Sequence, residues 1–235
     1  MWKQKLYSSC MVISCSFIMN IGGIQKDPSD GINNSLKADT TTADLPVFIL
    51  PNVTLNQAAL NFAKDYVKKN SWGLVQLKKK NKTSLNIINS VFIKNNIPSE
   101  LKYMAVVESN LNTVMVCNST GATGIWQLMP FTADELGLNV TEENDERLHI
   151  QKSSVAVAKY LKQLYEEFGD WLLVVAAYNS GPGKVGRAIE LSGSHDFWKL
   201  QSFLPLETRN HVKRYISVLY FFEIENESSN TKNSV

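Results

Sequence analysis

Between about residue 54 and residue 222, apolar positions recur every three or four residues, the period of helices that bury one face. Thr54 is placed to cap a helix through L-N-Q-A-A-L-N-F-A-K-D-Y-V-K-K, with Leu55, Ala58, Ala59, Phe62 and Val67 on one side. T-S-L-N-I-I-N-S-V-F-I-K is a second amphipathic helix. Pro98 opens a third, P-S-E-L-K-Y-M-A-V-V-E, because proline is tolerated in a first turn. A longer helix is predicted from about Ser153 to Phe168. Asp170 caps W-L-L-V-V-A-A-Y-N, and Gly181 and Gly183 stop it. Pro205 opens a last helix through Y-I-S-V-L-Y-F-F. No segment alternates convincingly as a strand. The predicted fold is all-α (mainly helical), packed around very apolar central helices.

The two ends break this pattern. Lys3 and Lys5 precede an apolar, low-charge stretch, and no acidic residue appears before Asp27. With small residues at Gly22 and Gly23, residues 1–23 predict a secretory signal peptide. A permanent span is a poorer reading, since the stretch is dotted with serine and a bilayer needs ~20 mainly apolar residues. Val12-Ile13-Ser14-Cys15 resembles a bacterial lipoprotein cleavage box, which makes Cys15 a candidate lipid anchor. Residues 24–44 are polar and turn-rich, a flexible tether, and residues 225–235 are a polar tail. Residues 45–83 then form an N-terminal helical extension.

Composition narrows the function classes. There are 24 basic and 22 acidic residues, and removing Lys3 and Lys5 with the leader leaves a balanced chain. Nucleic acid and other partners bound by bulk charge are poor candidates. Cys10 and Cys15 lie in the leader, so Cys117 alone remains and no internal disulfide is expected. His149, His195 and His211 are scattered without ligand spacing and read as surface or packing residues. No metal or cofactor is expected.

One stretch carries chemistry. In M-A-V-V-E-S-N-L, Leu101, Met104, Ala105 and Glu108 fall at spacings of three and four, so Glu108 ends a helix face that is otherwise core. No basic residue lies within four positions of Glu108. A carboxyl taken out of water without a counter-ion holds its proton more tightly. It can then act as a general acid, and glycosidic cleavage starts with a proton on the leaving oxygen. The bland alternative is a helix-end glutamate turned to solvent. N-S-T-G-A-T-G-I-W-Q-L-M-P follows, with Gly121 and Gly124 suited to a tight loop and Gln127 offering an amide to a sugar's acetamido group. Taken alone, that segment is better explained as a tight turn with a core tryptophan. Tyr178 and Asn179 end a second fully apolar helix in A-A-Y-N-S-G-P-G-K-V. Two buried helices ending in polar side chains predict a shared polar cleft, unless the pair is purely a structural cap.

Taken together, E-S-N-L, G-A-T-G-I-W-Q-L-M-P, A-A-Y-N-S-G-P-G-K-V and L-P-L-E-T-R, in this order, resemble the lytic transglycosylases with an SLT catalytic domain. The branch most similar is the membrane-bound murein transglycosylase D type. The resemblance runs over roughly residues 84 to 222 and includes D-E-R-L-H-I-Q-K-S-S-V-A-V-A-K-Y-L-K-Q-L-Y-E-E-F-G-D-W. It implies a lysozyme-like catalytic domain over 84–224 with a glycan groove. It implies Glu108 as sole catalytic carboxyl and Ser109 as its supporting neighbour. It implies that Gln127 contacts sugar, that Tyr178 stands near the catalytic carboxyl and the oxocarbenium-like sugar with Asn179 beside it in the substrate site, that Met129 lines the groove, and that Glu207 and Arg209 start a helix.

The implied reaction is cleavage of the MurNAc-β-1,4-GlcNAc bond of peptidoglycan glycan strands without water, leaving 1,6-anhydro-MurNAc ends, by a monomer in the periplasmic envelope. A retaining hydrolase would need a second carboxylate as nucleophile. Asp134, Glu135, Glu142, Glu143 and Asp145 lie in a segment that reads as exposed. This chain departs from the family pattern between Glu108 and Gly121, which stand about one residue further apart. Asn118, with Ser119 next to it, occupies the place of the usual serine, so either could contact glycan. The alternatives are a goose-type muramidase, which would use water, and a non-catalytic peptidoglycan-binding protein.

Overall fold

The computed structural model describes residues 48–50 and 53–225. The leader with Cys10 and Cys15, the tether, and residues 226–235 of the tail lie outside them.

A short antiparallel hairpin, β1 (Phe48–Leu50) and β2 (Val53–Thr54), precedes the helices. It is too short to carry an alternating pattern, and it takes Thr54 away from the capping role expected of it. Asn56 caps α1 (Gln57–Lys80) instead, its side-chain oxygen accepting from the Ala59 amide at 2.9 Å. Asn56→Ala is expected to cost about 1 kcal/mol in urea unfolding, and an unchanged midpoint would contradict the cap. The buried stripe of α1 is Ala59, Ala63, Val67 and Leu74. Ala58 is exposed. Phe62 sits at the rim, stacked on Tyr66 and under the Lys213 ammonium.

Then come α2 (Lys82–Lys94), a 3-10 turn over Ser99–Tyr103, and α3 (Met104–Ser109). The helix expected from Pro98 therefore begins as 3-10 and turns α only at Met104. α4 (Pro130–Glu135) starts on a proline, and α5 (Ile150–Phe168) begins three residues before the expected Ser153. α6 (Trp171–Ser180) is buried at every position, and Asp170 caps it as expected, accepting from the Leu173 amide. Gly181, at φ +86°, turns the chain alone. Gly183 lies inside α7 (Pro182–Ser192), because Pro182 at its first position starts a new helix at once. α8 (Phe197–Leu200), α9 (Leu206–Leu219) and a π-helical turn (Tyr220–Glu225) complete the chain.

α5, α7 and α9 surround α6; α2 packs on α5 and α1 on α9. All of these contribute to one hydrophobic cluster. No helix among the described residues is long and apolar enough to cross a membrane.

Candidate active site

α3 is only six residues long and depends on its ends. Asn110 (φ +53°) and Leu111 (φ +62°) both adopt the left-handed conformation directly after Ser109. Their amides close the helix on the carbonyls of Val106 and Ala105. Asparagine tolerates this backbone; for leucine it costs ~1–2 kcal/mol, sustained here by burial of the side chain. The strain fixes where Glu108 stands.

Glu108 is 2% exposed, and its Oε1 lies 2.8 Å from Nε2 of His211, on α9, which is 0% exposed. No basic residue lies near Glu108 in sequence, and the fold supplies the nitrogen facing it from 103 positions away. His211 is not a surface residue, whereas His149 and His195 are exposed. Oε2 of Glu108 and Nδ1 of His211 are buried without hydrogen-bond partners among the described residues.

The two apolar helices grip one loop. Ser109 Oγ donates to the Ile125 carbonyl at 2.8 Å, and Tyr178 Oη donates to the next carbonyl, Trp126, at 2.7 Å. Trp126 is fully buried, donates its indole N–H to Ser154 Oγ and stacks on Phe92. Gln127, at φ +48° and 0% exposed, donates its side-chain amide to the Gly124 and Met115 carbonyls, leaving Oε1 unpartnered. Asn179 is buried beside Tyr178 with its amide nitrogen unpartnered. Met129 is half-buried where α4 begins. Asn118 and Ser119 are exposed on the preceding turn, and Ser119 Oγ sits 3.3 Å from the Cys117 sulfur.

Arg147 holds this loop from below, a role its sequence context does not signal. Its guanidinium donates to the Gly121 and Leu128 carbonyls at 2.7 and 3.0 Å and pairs with Asp145. Burial works against a charged Asp145, yet the hydrogen bonds and charge of Arg147 outweigh it and hold that carboxyl below its ordinary value. A lowered carboxylate stabilises the fold above its unfolded value and loses that contribution as pH falls through the folded one. Thermal stability is therefore expected to drop on acidification below about pH 4, and less steeply in Asp145→Asn. Parallel curves for the two proteins would contradict this. Asp134, Glu135, Glu142 and Glu143 are exposed, as expected.

A cavity of about 260 Å³ adjoins Glu108, Ser109 and Asn110. Tyr66, Asn70 and Leu74 of α1 and Arg214 of α9 form its other walls, so the N-terminal extension reaches the site.

Comparison with known proteins now bears on this arrangement. Residues 86–201, from α2 to the end of α8, match the model of the transglycosylase SLT domain. Residues 86–201 are thus similar to the transglycosylase SLT domain. Over 130 residues, 53% of this chain, it is 38% identical to membrane-bound lytic murein transglycosylase D of Escherichia coli. The match spans 28% of that protein's length. Over 104 residues, 43% of this chain and 8% of the relative, it is 35% identical to the peptidoglycan transglycosylase of an Escherichia phage. Among solved structures, the 70 kDa soluble lytic transglycosylase of E. coli superposes with a TM-score of 0.50 at 24% identity, over 70% of this chain and 30% of that one. This likeness establishes the helical SLT fold. Arg147 lies inside the matched segment, in the D-E-R-L-H-I-Q stretch, whereas His211 lies beyond it.

Proposed function

We propose that this chain is a lytic transglycosylase that cleaves the MurNAc-β-1,4-GlcNAc bond of peptidoglycan without water, with Glu108 as its only acid and base. The observation that carries the reading is a carboxyl enclosed at the end of α3, inside the segment that matches the SLT domain. Glu108 gives its proton to the glycosidic oxygen, and the bond from that oxygen to the muramic C1 breaks. The acetamido oxygen of the same sugar supports C1 meanwhile. The 6-hydroxyl oxygen then bonds C1, and its proton returns to the Glu108 carboxylate, closing the 1,6-anhydro ring. Each turnover leaves the carboxyl as it began, so no second carboxylate is needed.

Ser109 and Tyr178 serve this reaction through the loop they hold, and Gln127 Oε1 and the Asn179 amide nitrogen, both without a partner among the described residues, are the atoms we assign to sugar. Met129, Asn118 and Ser119 contact glycan further along the groove. Residues 84–224 form the catalytic domain, and the extension over 45–83 walls the site through Tyr66 and Asn70. The relative's name, membrane-bound murein transglycosylase, supports a place in the bacterial envelope. We place the chain in the periplasm as a monomer, with an outer-membrane lipid anchor as the alternative if cleavage falls before Cys15 instead of after residue 23.

Digestion of purified peptidoglycan in heavy-oxygen water tests the reaction type. Released ends are expected to carry no heavy oxygen. Its incorporation at the muramic C1 would make the enzyme a muramidase.

A further inference from the structure

The orphaned ring nitrogen of His211 fixes more than packing. His211 Nδ1 is buried without a hydrogen-bond partner among the described residues, while Nε2 lies 2.8 Å from Glu108 Oε1. A buried N–H without an acceptor costs more than a bare lone pair, and a charged one costs more still. That disfavours both the imidazolium and the Nδ1–H tautomer, since each puts a proton on the orphaned nitrogen. The remaining form is neutral imidazole with its proton on Nε2, facing a carboxyl oxygen that can accept it. The Nε2–H bond occupies Oε1, so the oxygen free to carry a transferable proton is Oε2, which has no hydrogen-bond partner among the described residues.

We propose that His211 is a positioning residue: its Nε2–H donates to Glu108 Oε1 and so leaves the transferable proton on Oε2, the atom without a protein partner. The inference rests on the proposed role of Glu108. When Oε2–H has passed its proton to the glycosidic oxygen, the carboxylate that remains already holds a hydrogen bond from Nε2. A donor aimed at charge that appears during the reaction strengthens as the charge develops and accelerates the chemical step rather than binding. The same bond then orients the carboxylate to take the 6-hydroxyl proton. His211 touches no substrate in this scheme. Thr208, His211 and Tyr215 follow one another along the buried side of α9, so the ring is held against rotation by packing.

Two measurements test this. Nitrogen-15 NMR of histidine-labelled protein at neutral pH, with His211 assigned by its absence in His211→Gln, is expected to show Nε2 protonated and Nδ1 bare. A proton on Nδ1, alone or with Nε2, overturns the proposal. In muropeptide release, His211→Gln keeps an N–H donor and is expected to stay within a few-fold of wild type. His211→Leu is expected to lose roughly 10- to 100-fold in kcat with KM little changed. Equal losses in both variants, or a loss carried by KM, would overturn it. The spectrum needs no turnover, so it decides the tautomer even if the wild-type protein releases nothing. Failure of release would defeat the transglycosylase reading instead.

Discussion

Gly124→Ala is expected to destabilise the fold by roughly 3–5 kcal/mol, enough to unfold much of the native population. A Cβ at this position would stand 2.1 Å from the Arg147 carbonyl oxygen. That atom is backbone and cannot swing aside. The same Arg147 holds the loop by its guanidinium at Gly121 and Leu128, so retreat of its backbone would strip those bonds as well. The glycine's left-handed φ of +79° adds strain for any other residue. Gly137 shares that φ but has open space where its Cβ would go. Gly137→Ala therefore isolates the conformational part and should cost only about 1 kcal/mol. Urea unfolding of both variants separates the two terms. Equal losses would mean that the approach of Arg147 to Gly124 is not what the loop depends on.

Glu108→Gln is expected to lower kcat/KM for muropeptide release by about a thousandfold or more, because one group serves as acid and base in both halves of the reaction. Stability should change far less. Glutamine has the same shape, and its amide oxygen can accept from His211 Nε2 where Oε1 did. Circular dichroism and the thermal midpoint would establish that the variant is folded. A folded Glu108→Gln protein with wild-type rates would remove Glu108 from the chemistry.

Much of this was legible in the sequence, and the misses share causes. Local signals read well: the i, i+3, i+4 apolar spacing that buries Leu101, Met104, Ala105 and Glu108, and the Asp170 cap on α6. Boundaries slipped where neighbouring residues suit the same role. Thr54 and Asn56 are both good caps, and only the hairpin decides between them. Gly181 and Gly183 both suit a helix stop, and Pro182 decides for the first.

The larger misses were long-range. The partner of Glu108 cannot be found by scanning its neighbours in sequence, since tertiary packing of α9 on α3 brings His211 in. A weak signal was present: His211 lies in phase with Thr208 and Tyr215 on a stripe that must be buried. Arg147 offered less. Asp145 two residues before it suggests a local ion pair, but nothing announces the carbonyls of Gly121 and Leu128. The residue type of Gln127 offers both a donor and an acceptor, whereas the fold uses its nitrogen to close the loop and leaves Oε1 without a partner among the described residues.

The most direct test of the central claim is mass spectrometry of muropeptides released from purified peptidoglycan by the wild-type protein and by folded Glu108→Gln. The account predicts 1,6-anhydro-muramic ends, lighter by one water than reducing ends, from the wild type and none from the variant. Reducing ends from the wild type, or anhydro ends from both proteins, would contradict it.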